Sequence, residues 1–187
     1  MKIKNIELET KQNIRDFSYI INKNNQTIKA YSIIRSNNIN NFSRKDLELL
    51  KEKYNIKTIL DLRNKKEVEN NPSIINKIKY YNIPLFEKKR KKKRIDSNNQ
   101  NISRVPNIYE TYMEMIESKE AKKQLKKILK VIMNPKNSNV LFHCTYGKDR
   151  TGVISLLILS MLDVDIKDIK EDYLYSNKYM EVISKKI

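Results

Sequence analysis

The sequence predicts an α/β domain in which helices flank a central, mostly parallel sheet. Short apolar runs rich in β-branched residues alternate along the chain with longer segments of helical periodicity. The length of 187 residues, of which 39% are hydrophobic, suits a packed core. No internal repeat is present, so we expect a single domain over residues 1–187.

The first half of the chain contains three strand-like runs and two helical segments. The runs, which combine β-branched and aromatic side chains, are Thr27 to Ile34, Lys57 to Leu62, and Ile78 to Leu85. Ser43 followed by Asp46 resembles a capping box and predicts the start of a helix. A second, short helix is expected over Lys65 to Asn70, because Pro72 ends it.

The second half contains helices on both sides of one short strand. Helical periodicity covers Ile108 to Ser118 and Lys119 to Asn134. Val140 to Phe142 is a short apolar run that predicts a buried strand, and the very apolar segment Thr151 to Leu162 predicts the helix after it. One or two further helices are expected over Ile166 to Tyr179.

The chain is strongly basic, with 39 lysines and arginines against 22 acidic residues and a formal net charge of +17. Such a surface favours anionic partners, among them phosphorylated ligands, nucleic acid or an acidic membrane surface. The alternative explanation of the positive charge is a general over-use of lysine, asparagine and isoleucine along the chain. The run Lys88 to Arg94 lies in a predicted basic surface loop at about 86–106, which is either a solvated excursion or an electrostatic guide for substrate. No recognised nucleic-acid motif is present, so a nucleic-acid partner is not expected.

The cysteine content and the N-terminus bear on location. A single cysteine excludes an internal disulfide, so the fold does not need an oxidising compartment. No apolar segment of the signal-peptide kind follows Met1 to Ile6, and the longest apolar stretch, Val153 to Leu162, is too short to cross a bilayer. We therefore expect a cytoplasmic protein.

The only cysteine, the only histidine and both glycines fall in one stretch, from His143 to Gly152. The order along the chain is a strand, Cys144, a loop, Arg150 and a helix. This order is the one needed to hold a phosphate dianion for attack by sulfur. Backbone amides in the loop can surround the phosphate oxygens, and Gly147 allows a conformation closed to other residues. The helix start adds positive potential, which also favours the thiolate. Arg150 can bind two phosphoryl oxygens through its planar fork.

The other residues of this stretch have candidate supporting roles. Asp149 can protonate the leaving oxygen, and Lys148 adds a second positive charge for a strongly anionic substrate. Thr151 can hydrogen-bond the sulfur. His143 is expected to orient the loop through hydrogen bonds rather than to act as a base. The candidate phosphate-binding residues are Thr145, Tyr146, Gly147, Lys148, Arg150 and Thr151.

The stretch resembles the signature loop His-Cys-x-x-Gly-x-x-Arg-Thr-Gly of the protein tyrosine phosphatase superfamily. Its Gly-Lys-Asp-Arg-Thr-Gly version is similar to that of the bacterial atypical tyrosine phosphatases, which include tyrosine/phosphoinositide phosphatases. Four further segments resemble family segments in the same order: Asn13-Ile14-Arg15-Asp16, Ile34-Arg35-Ser36, Ile59-Leu60-Asp61-Leu62-Arg63 and Asp172-Tyr173-Leu174-Tyr175-Ser176-Asn177. Two departures stand out, since Ser18-Tyr19 replaces the usual glycine pair and Tyr146 stands where alanine is usual.

The resemblance implies a protein tyrosine phosphatase-like fold and a phosphoric monoester hydrolase that works through a phosphocysteine intermediate. It implies Cys144 as nucleophile, Arg150 as phosphate ligand and Asp149 as general acid, with no metal and no organic cofactor. The implied partners are phosphotyrosine proteins or phosphoinositides.

Alternatives to this interpretation stay open on two points. Asp61 is the rival acid, because a strand-end carboxylate can face the site, unless it pairs with Arg63 or Arg35. The alternative functions are a catalytically weak module that binds phosphorylated ligands and an RNA 5′-phosphatase.

Overall fold

The computed structural model of the chain describes residue 3 and residues 5–73, 77–85 and 107–184. The predicted basic loop at about 86–106, with Lys88 to Arg94, lies outside the described residues. The strands are β1 (Arg15–Asp16), β2 (Ile33–Ser36), β3 (Thr58–Asp61), β4 (Lys79–Asn82) and β5 (Val140–His143). The α-helices are α1 (Arg44–Glu52), α2 (Lys65–Asn70), α3 (Ile108–Glu117), α4 (Lys119–Ile132), α5 (Asp149–Met161) and α6 (Ile166–Ser184).

The strands form one sheet in the order β1-β2-β5-β3-β4. β2, β5, β3 and β4 are parallel, and the two-residue β1 pairs antiparallel with β2 at the edge. The predicted mostly parallel sheet is therefore confirmed. In the central strands, Ser36 and Asp61 both align with His143. The carboxyl ends of β2, β3 and β5 thus meet where Cys144 begins its loop, which is the usual place for a ligand site in an open α/β sheet.

Apolar side chains cover both faces of this sheet. Along β5, Leu141 packs with Ile34 and Ile59 on the face covered by α1, whereas Phe142 packs with Leu60 on the other face. Buried side chains of α3, α4, α5 and α6 complete that second core. Strands buried on both faces are expected to be apolar throughout, as β5 is up to His143. None of the described helices is long and apolar enough to cross a bilayer.

The structure differs from the sequence-based elements mainly near the N-terminus. The strand predicted over Thr27 to Ile34 is wrong for most of its length, because Thr27 forms only an isolated bridge and β2 starts at Ile33. The intervening chain turns, with Tyr31 at φ +63°. The strand β1 was not predicted, since two charged residues carry no alternating pattern. The helix after the cysteine starts at Asp149, two residues before the predicted start.

Candidate active site

Cys144 directly follows β5, and residues Cys144 to Lys148, termed the cysteine loop below, connect that strand to α5. Gly147 has φ +67°, and a Cβ on it would lie 2.6 Å from both the Asn37 nitrogen and the Ser36 oxygen. Those two atoms belong to the backbone at the end of β2 and cannot rotate away. The loop therefore needs glycine at this position for both conformation and space.

Three consecutive carbonyls of the cysteine loop accept hydrogen bonds from other parts of the chain. The bonds run from Asn38 N to Thr145 O (3.1 Å), from Asn13 Nδ2 to Tyr146 O (2.9 Å) and from Arg35 Nη2 to Gly147 O (2.9 Å). In a trans peptide the carbonyl and the following amide point in opposite directions. The amides of Tyr146, Gly147 and Lys148 are thereby turned away from these donors. No described group accepts a hydrogen bond from them, so these three amides are free to donate to a ligand.

Arg150, in the first turn of α5, is held by a carboxylate. Its Nη1 and Nη2 donate to Glu67 Oε2 (2.6 Å) and Oε1 (2.8 Å), and the Thr145 hydroxyl donates to the same Oε1 (2.6 Å). Burial alone would raise the pKa of Glu67, but the hydrogen bonds from Arg150 and Thr145 outweigh it and lower the pKa to about 2. Glu67 and Arg150 therefore both stay charged at neutral pH, and their pairing holds the guanidinium beside the cysteine loop.

Glu67 is a site residue that the sequence analysis did not identify. It lies in α2, and its Oε2 also accepts a hydrogen bond from the Asn64 backbone in a capping box. The pattern Asn64-x-x-Glu67 predicts such a helix start, but it does not predict that the same carboxylate reaches Arg150. That contact depends on how α2 packs after β3, which a single sequence does not specify.

The thiol of Cys144 is buried, with 3% of the residue exposed, and forms no disulfide. Thr151 is also fully buried, and its hydroxyl has no hydrogen-bond partner among the described residues, so the expected bond to sulfur is not formed in this structure. His143 is buried too, with Nδ1 3.3 Å from the Cys144 oxygen and Nε2 3.7 Å from Asp61 Oδ2. Burial lowers the pKa of His143, which keeps the ring neutral, as an orienting role requires.

The two candidate acids have different environments. Asp61 is fully buried; Arg63 donates to both of its carboxylate oxygens, and the Tyr80 hydroxyl donates to Oδ2 (2.7 Å). Burial opposes ionisation of Asp61, but the hydrogen bonds from Arg63 and Tyr80 lower its pKa. Asp149 is half-buried in the first turn of α5, where its Oδ1 accepts a hydrogen bond from Tyr112. Its Oδ2 accepts none from the described part of the chain, whereas both carboxylate oxygens of Asp61 are engaged by Arg63.

Two residues of the cysteine loop present side chains with few constraints. Tyr146 is 50% exposed, and the half-buried Lys148 has no carboxylate partner in the described ranges. Both are thus available to a ligand at the loop. Over these same ranges, no group of three or more acidic, histidine or cysteine side chains is placed to hold a metal ion.

A second arginine–carboxylate group, termed the buried cluster below, consists of Arg15, Arg35 and Asp172. Asp172 Oδ1 accepts from Arg15 Nε (2.7 Å), and its Oδ2 accepts from Arg35 Nη1. The hydroxyl of Tyr19, which replaces a usual family glycine, also donates to Oδ1 (2.8 Å). All three cluster residues are at most 1% exposed. Arg35 connects this cluster to the cysteine loop through Gly147, so three of the four additional segments that resemble the family meet beneath the loop.

The fold and the loop together have the layout expected of a protein tyrosine phosphatase-like domain. The chain belongs to the tyrosine phosphatase family, whose model matches residues 6–187. The match covers nearly the whole chain, including every element of the sheet.

Individual relatives agree with this assignment. The chain is 27% identical over 157 residues to a tyrosine-protein phosphatase of Nostoc commune, a match that covers 82% of this chain and 51% of the relative. The chain thus spans about half the length of that curated relative.

Two solved structures of low sequence identity match this chain, and the first of them resembles its fold. The core catalytic domain of the PP-IP phosphatase SIW14 from S. cerevisiae, in complex with citrate, matches with a TM-score of 0.51 and 19% identity, over 91% of this chain and 79% of that one. TpbA from P. aeruginosa in complex with pTyr matches with a TM-score of 0.42 and 12% identity, over 80% and 76% of the two chains.

Proposed function

We propose that this chain hydrolyses phosphoric monoesters through a covalent phosphocysteine on Cys144. The observation that carries the proposal is the cysteine loop itself, in which anchored carbonyls leave the amides of Tyr146, Gly147 and Lys148 without an acceptor directly after Cys144. Such a set of free amides stabilises both the thiolate and the oxygens of a bound phosphoryl group. An inert buried cysteine has no need of this arrangement.

Arg150 is the proposed ligand for the equatorial phosphoryl oxygens. A guanidinium carries five N–H donors, and Glu67 takes one from each terminal nitrogen. The Thr145 hydroxyl accepts a further one from Nη2 (3.1 Å), so Nε–H and the second Nη1–H have no acceptor in the described residues and stay available to phosphate. Glu67 accordingly holds the guanidinium in one orientation without using all of its donors.

The proposed reaction has two steps with Asp149 active in both. In the first, the Cys144 thiolate attacks phosphorus, the ester P–O bond breaks, and Asp149 gives its proton to the leaving oxygen. In the second, water attacks the phosphocysteine, Asp149 takes a proton from it, and the S–P bond breaks to release inorganic phosphate and the thiolate. Neither step changes an oxidation state, and the enzyme returns to its starting protonation.

Phosphotyrosine proteins are the proposed substrates, with phosphoinositides as a second class. The first follows from family membership and from the open loop, where an exposed Tyr146 can contact an aromatic leaving group. The second is favoured by Lys148, a cation beside the loop without an acidic partner in the described residues, and by the SIW14 fold match, a phosphatase named for PP-IP. Parallel assays on a phosphotyrosine peptide and on phosphoinositides distinguish the two.

The test of the proposed function compares the wild type with Cys144→Ser. We expect turnover of p-nitrophenyl phosphate by the wild type and none by the variant, because serine is a far weaker nucleophile at neutral pH. Rapid acid quench with radiolabelled phosphotyrosine peptide should leave label on the wild type alone. Circular dichroism checks that both proteins are folded. Full activity of the variant would remove Cys144 from the mechanism, and a wild type that binds the peptide without turnover would establish a binding module instead.

A further inference from the structure

Three helices contribute to a hydrogen-bond chain that ends on Asp149. The Tyr112 hydroxyl, from α3, donates to Asp149 Oδ1 at the start of α5. The Tyr173 hydroxyl, from α6, lies 2.6 Å from the Tyr112 hydroxyl. The two rings meet edge to face, with centroids 6.5 Å apart and planes at 75°. Nothing in the phosphatase scheme above uses these two phenols, so their placement beside the proposed acid calls for a separate explanation.

The direction of the hydrogen bonds follows from counting protons. Burial and the bond to Asp149 raise the pKa of Tyr112 far above that of an ordinary phenol, so this hydroxyl keeps its proton. Tyr112 has one proton and gives it to Asp149 Oδ1, so the bond between the phenols must be donated by Tyr173. Oδ1 of the ionised Asp149 is thereby occupied as an acceptor. A proton that this carboxylate takes up therefore binds at Oδ2, which has no partner among the described residues.

Gly152, the second glycine of the cysteine stretch, allows this chain to form. A Cβ at Gly152 would lie 2.9 Å from Cδ2 and Cε2 of Tyr173, closer than side chains can pack. Absence of a side chain lets the Tyr173 ring approach the first turns of α5, which brings its hydroxyl to Tyr112. Glycine at this position, which costs helix stability, is thus explained by the contact with Tyr173.

We propose that Tyr112, supported by Tyr173, is a positioning residue that fixes the carboxyl group of Asp149 so that Oδ2 delivers the proton to the leaving oxygen. The inference rests on the proposed function. Once Oδ1 loses its donor, the carboxyl group of Asp149 can rotate about the Cβ–Cγ bond. Proton transfer depends on a fixed short contact, so this rotation slows it. Loss of Tyr112 should therefore slow only those reactions whose leaving group needs the proton.

The experiment measures kcat/KM of the full chain on two substrates that differ in leaving group. Phenyl phosphate releases a basic phenoxide that needs protonation, whereas p-nitrophenyl phosphate releases a stable anion that does not. Tyr112→Phe should lose about tenfold in kcat/KM on phenyl phosphate and less than about twofold on p-nitrophenyl phosphate. Tyr173→Phe, one step further from the acid, should show the same selectivity with a smaller loss.

Two comparisons separate positioning from a general structural effect. In an Asp149→Asn background, which removes the proton donor, Tyr112→Phe should change kcat/KM on phenyl phosphate by less than about twofold. Tyr109→Phe, which removes the hydroxyl of a tyrosine that is 67% exposed on the same helix, is the matched control and should leave kcat/KM on both substrates unchanged.

The possible results each decide a different question. Equal losses on both substrates, or losses additive with Asp149→Asn, would overturn the positioning role. If Tyr112→Phe does not fold, the selectivity of Tyr173→Phe decides the same point. A wild type that turns over neither substrate would contradict the proposed function itself, a result distinct from failure of the inference.

Discussion

Two arginine–carboxylate groups contact the cysteine loop, and they differ chiefly in burial. In the buried cluster, Arg15, Arg35 and Asp172 are at most 1% exposed, and Arg35 binds the Gly147 carbonyl. In the second group, the side chains of Arg150 and Glu67 are 16% and 30% exposed. Of the two arginine–carboxylate groups at the cysteine loop, the buried cluster is thus shielded from water, and the Arg150–Glu67 pair is open to a ligand.

The difference in burial assigns the two groups different tasks. Removing one member of a buried ion pair leaves a charge without water or partner and typically costs about 3–5 kcal/mol of stability. A partly exposed pair is worth about 1 kcal/mol or less, because water replaces the lost partner. The buried cluster therefore holds the loop permanently in shape, whereas the Arg150–Glu67 pair can exchange contacts with a bound phosphoryl group at small cost.

Asp172→Asn should have the largest effect on stability. The amide keeps the size of the side chain but leaves two buried arginines without a counter-charge, so we expect a loss of about 3–5 kcal/mol in the free energy of unfolding. Urea denaturation followed by circular dichroism measures it. Glu48→Gln, which breaks the exposed Arg44–Glu48 pair, is the control and should cost at most about 0.5 kcal/mol. Similar losses for the two variants would remove the distinction between buried and exposed pairs.

Gly147→Ala tests the point at which the buried cluster meets the loop. Its φ of +67° and the 2.6 Å approach to backbone atoms should cost about 2 kcal/mol of stability and at least about a hundredfold in activity, because the loop must shift. Denaturation and p-nitrophenyl phosphate turnover measure the two effects. The control is Asn25→Ala, which places alanine in an exposed turn where the backbone is also left-handed, at φ +58°. We expect this variant to lower the free energy of unfolding by about 1 kcal/mol and to leave turnover unchanged. An active Gly147→Ala enzyme would show that the loop tolerates a side chain.

Glu67→Gln should lower the free energy of unfolding least of the three variants, because water reaches this partly exposed pair, yet lower kcat/KM about tenfold. The amide no longer holds Arg150 by charge, so the guanidinium spends less time in position. Because the pKa of Glu67 is about 2 in the folded protein against an ordinary 4.5, its ionised form stabilises the fold above about pH 4.5. That contribution disappears as the pH falls from about 4.5 to about 2, so the stability gap between wild type and variant should narrow there. A variant with wild-type kcat/KM would show that Arg150 needs no carboxylate.

Much of the fold could be predicted from the sequence, because local patterns determine it. The apolar runs at β3 and β5 are buried, and the helix over Lys65–Asn70 has the predicted bounds because its cap and Pro72 are both local. The strand expected over Thr27 to Ile34 failed for the opposite reason. β-branched residues favour extended backbone, but the turn that includes Tyr31 depends on contacts with other segments, such as the bond from its amide to Asp16.

The candidate site was only partly predictable. The stretch from His143 to Gly152 stood out in the sequence, because it contains the only cysteine, the only histidine and both glycines of the chain. Contacts that join distant segments could not be inferred, among them Glu67 on Arg150 and Tyr112 on Asp149. Glutamate and tyrosine are common in this chain, and nothing local marks these two. Resemblance to the family identified the segments that contain Arg15, Arg35 and Asp172. It did not show that the side chains of these three residues contact one another.

The bond between Arg15 and Asp172 joins residues 157 positions apart. Arg15 belongs to β1, and Asp172 belongs to α6. A nascent chain that has not yet released α6 from the ribosome therefore lacks the counter-charge that seats Arg35 against the loop. Contacts of such long range are also the slowest to form in a folding chain. We therefore expect the cysteine loop to acquire its final shape only after α6 has left the ribosome.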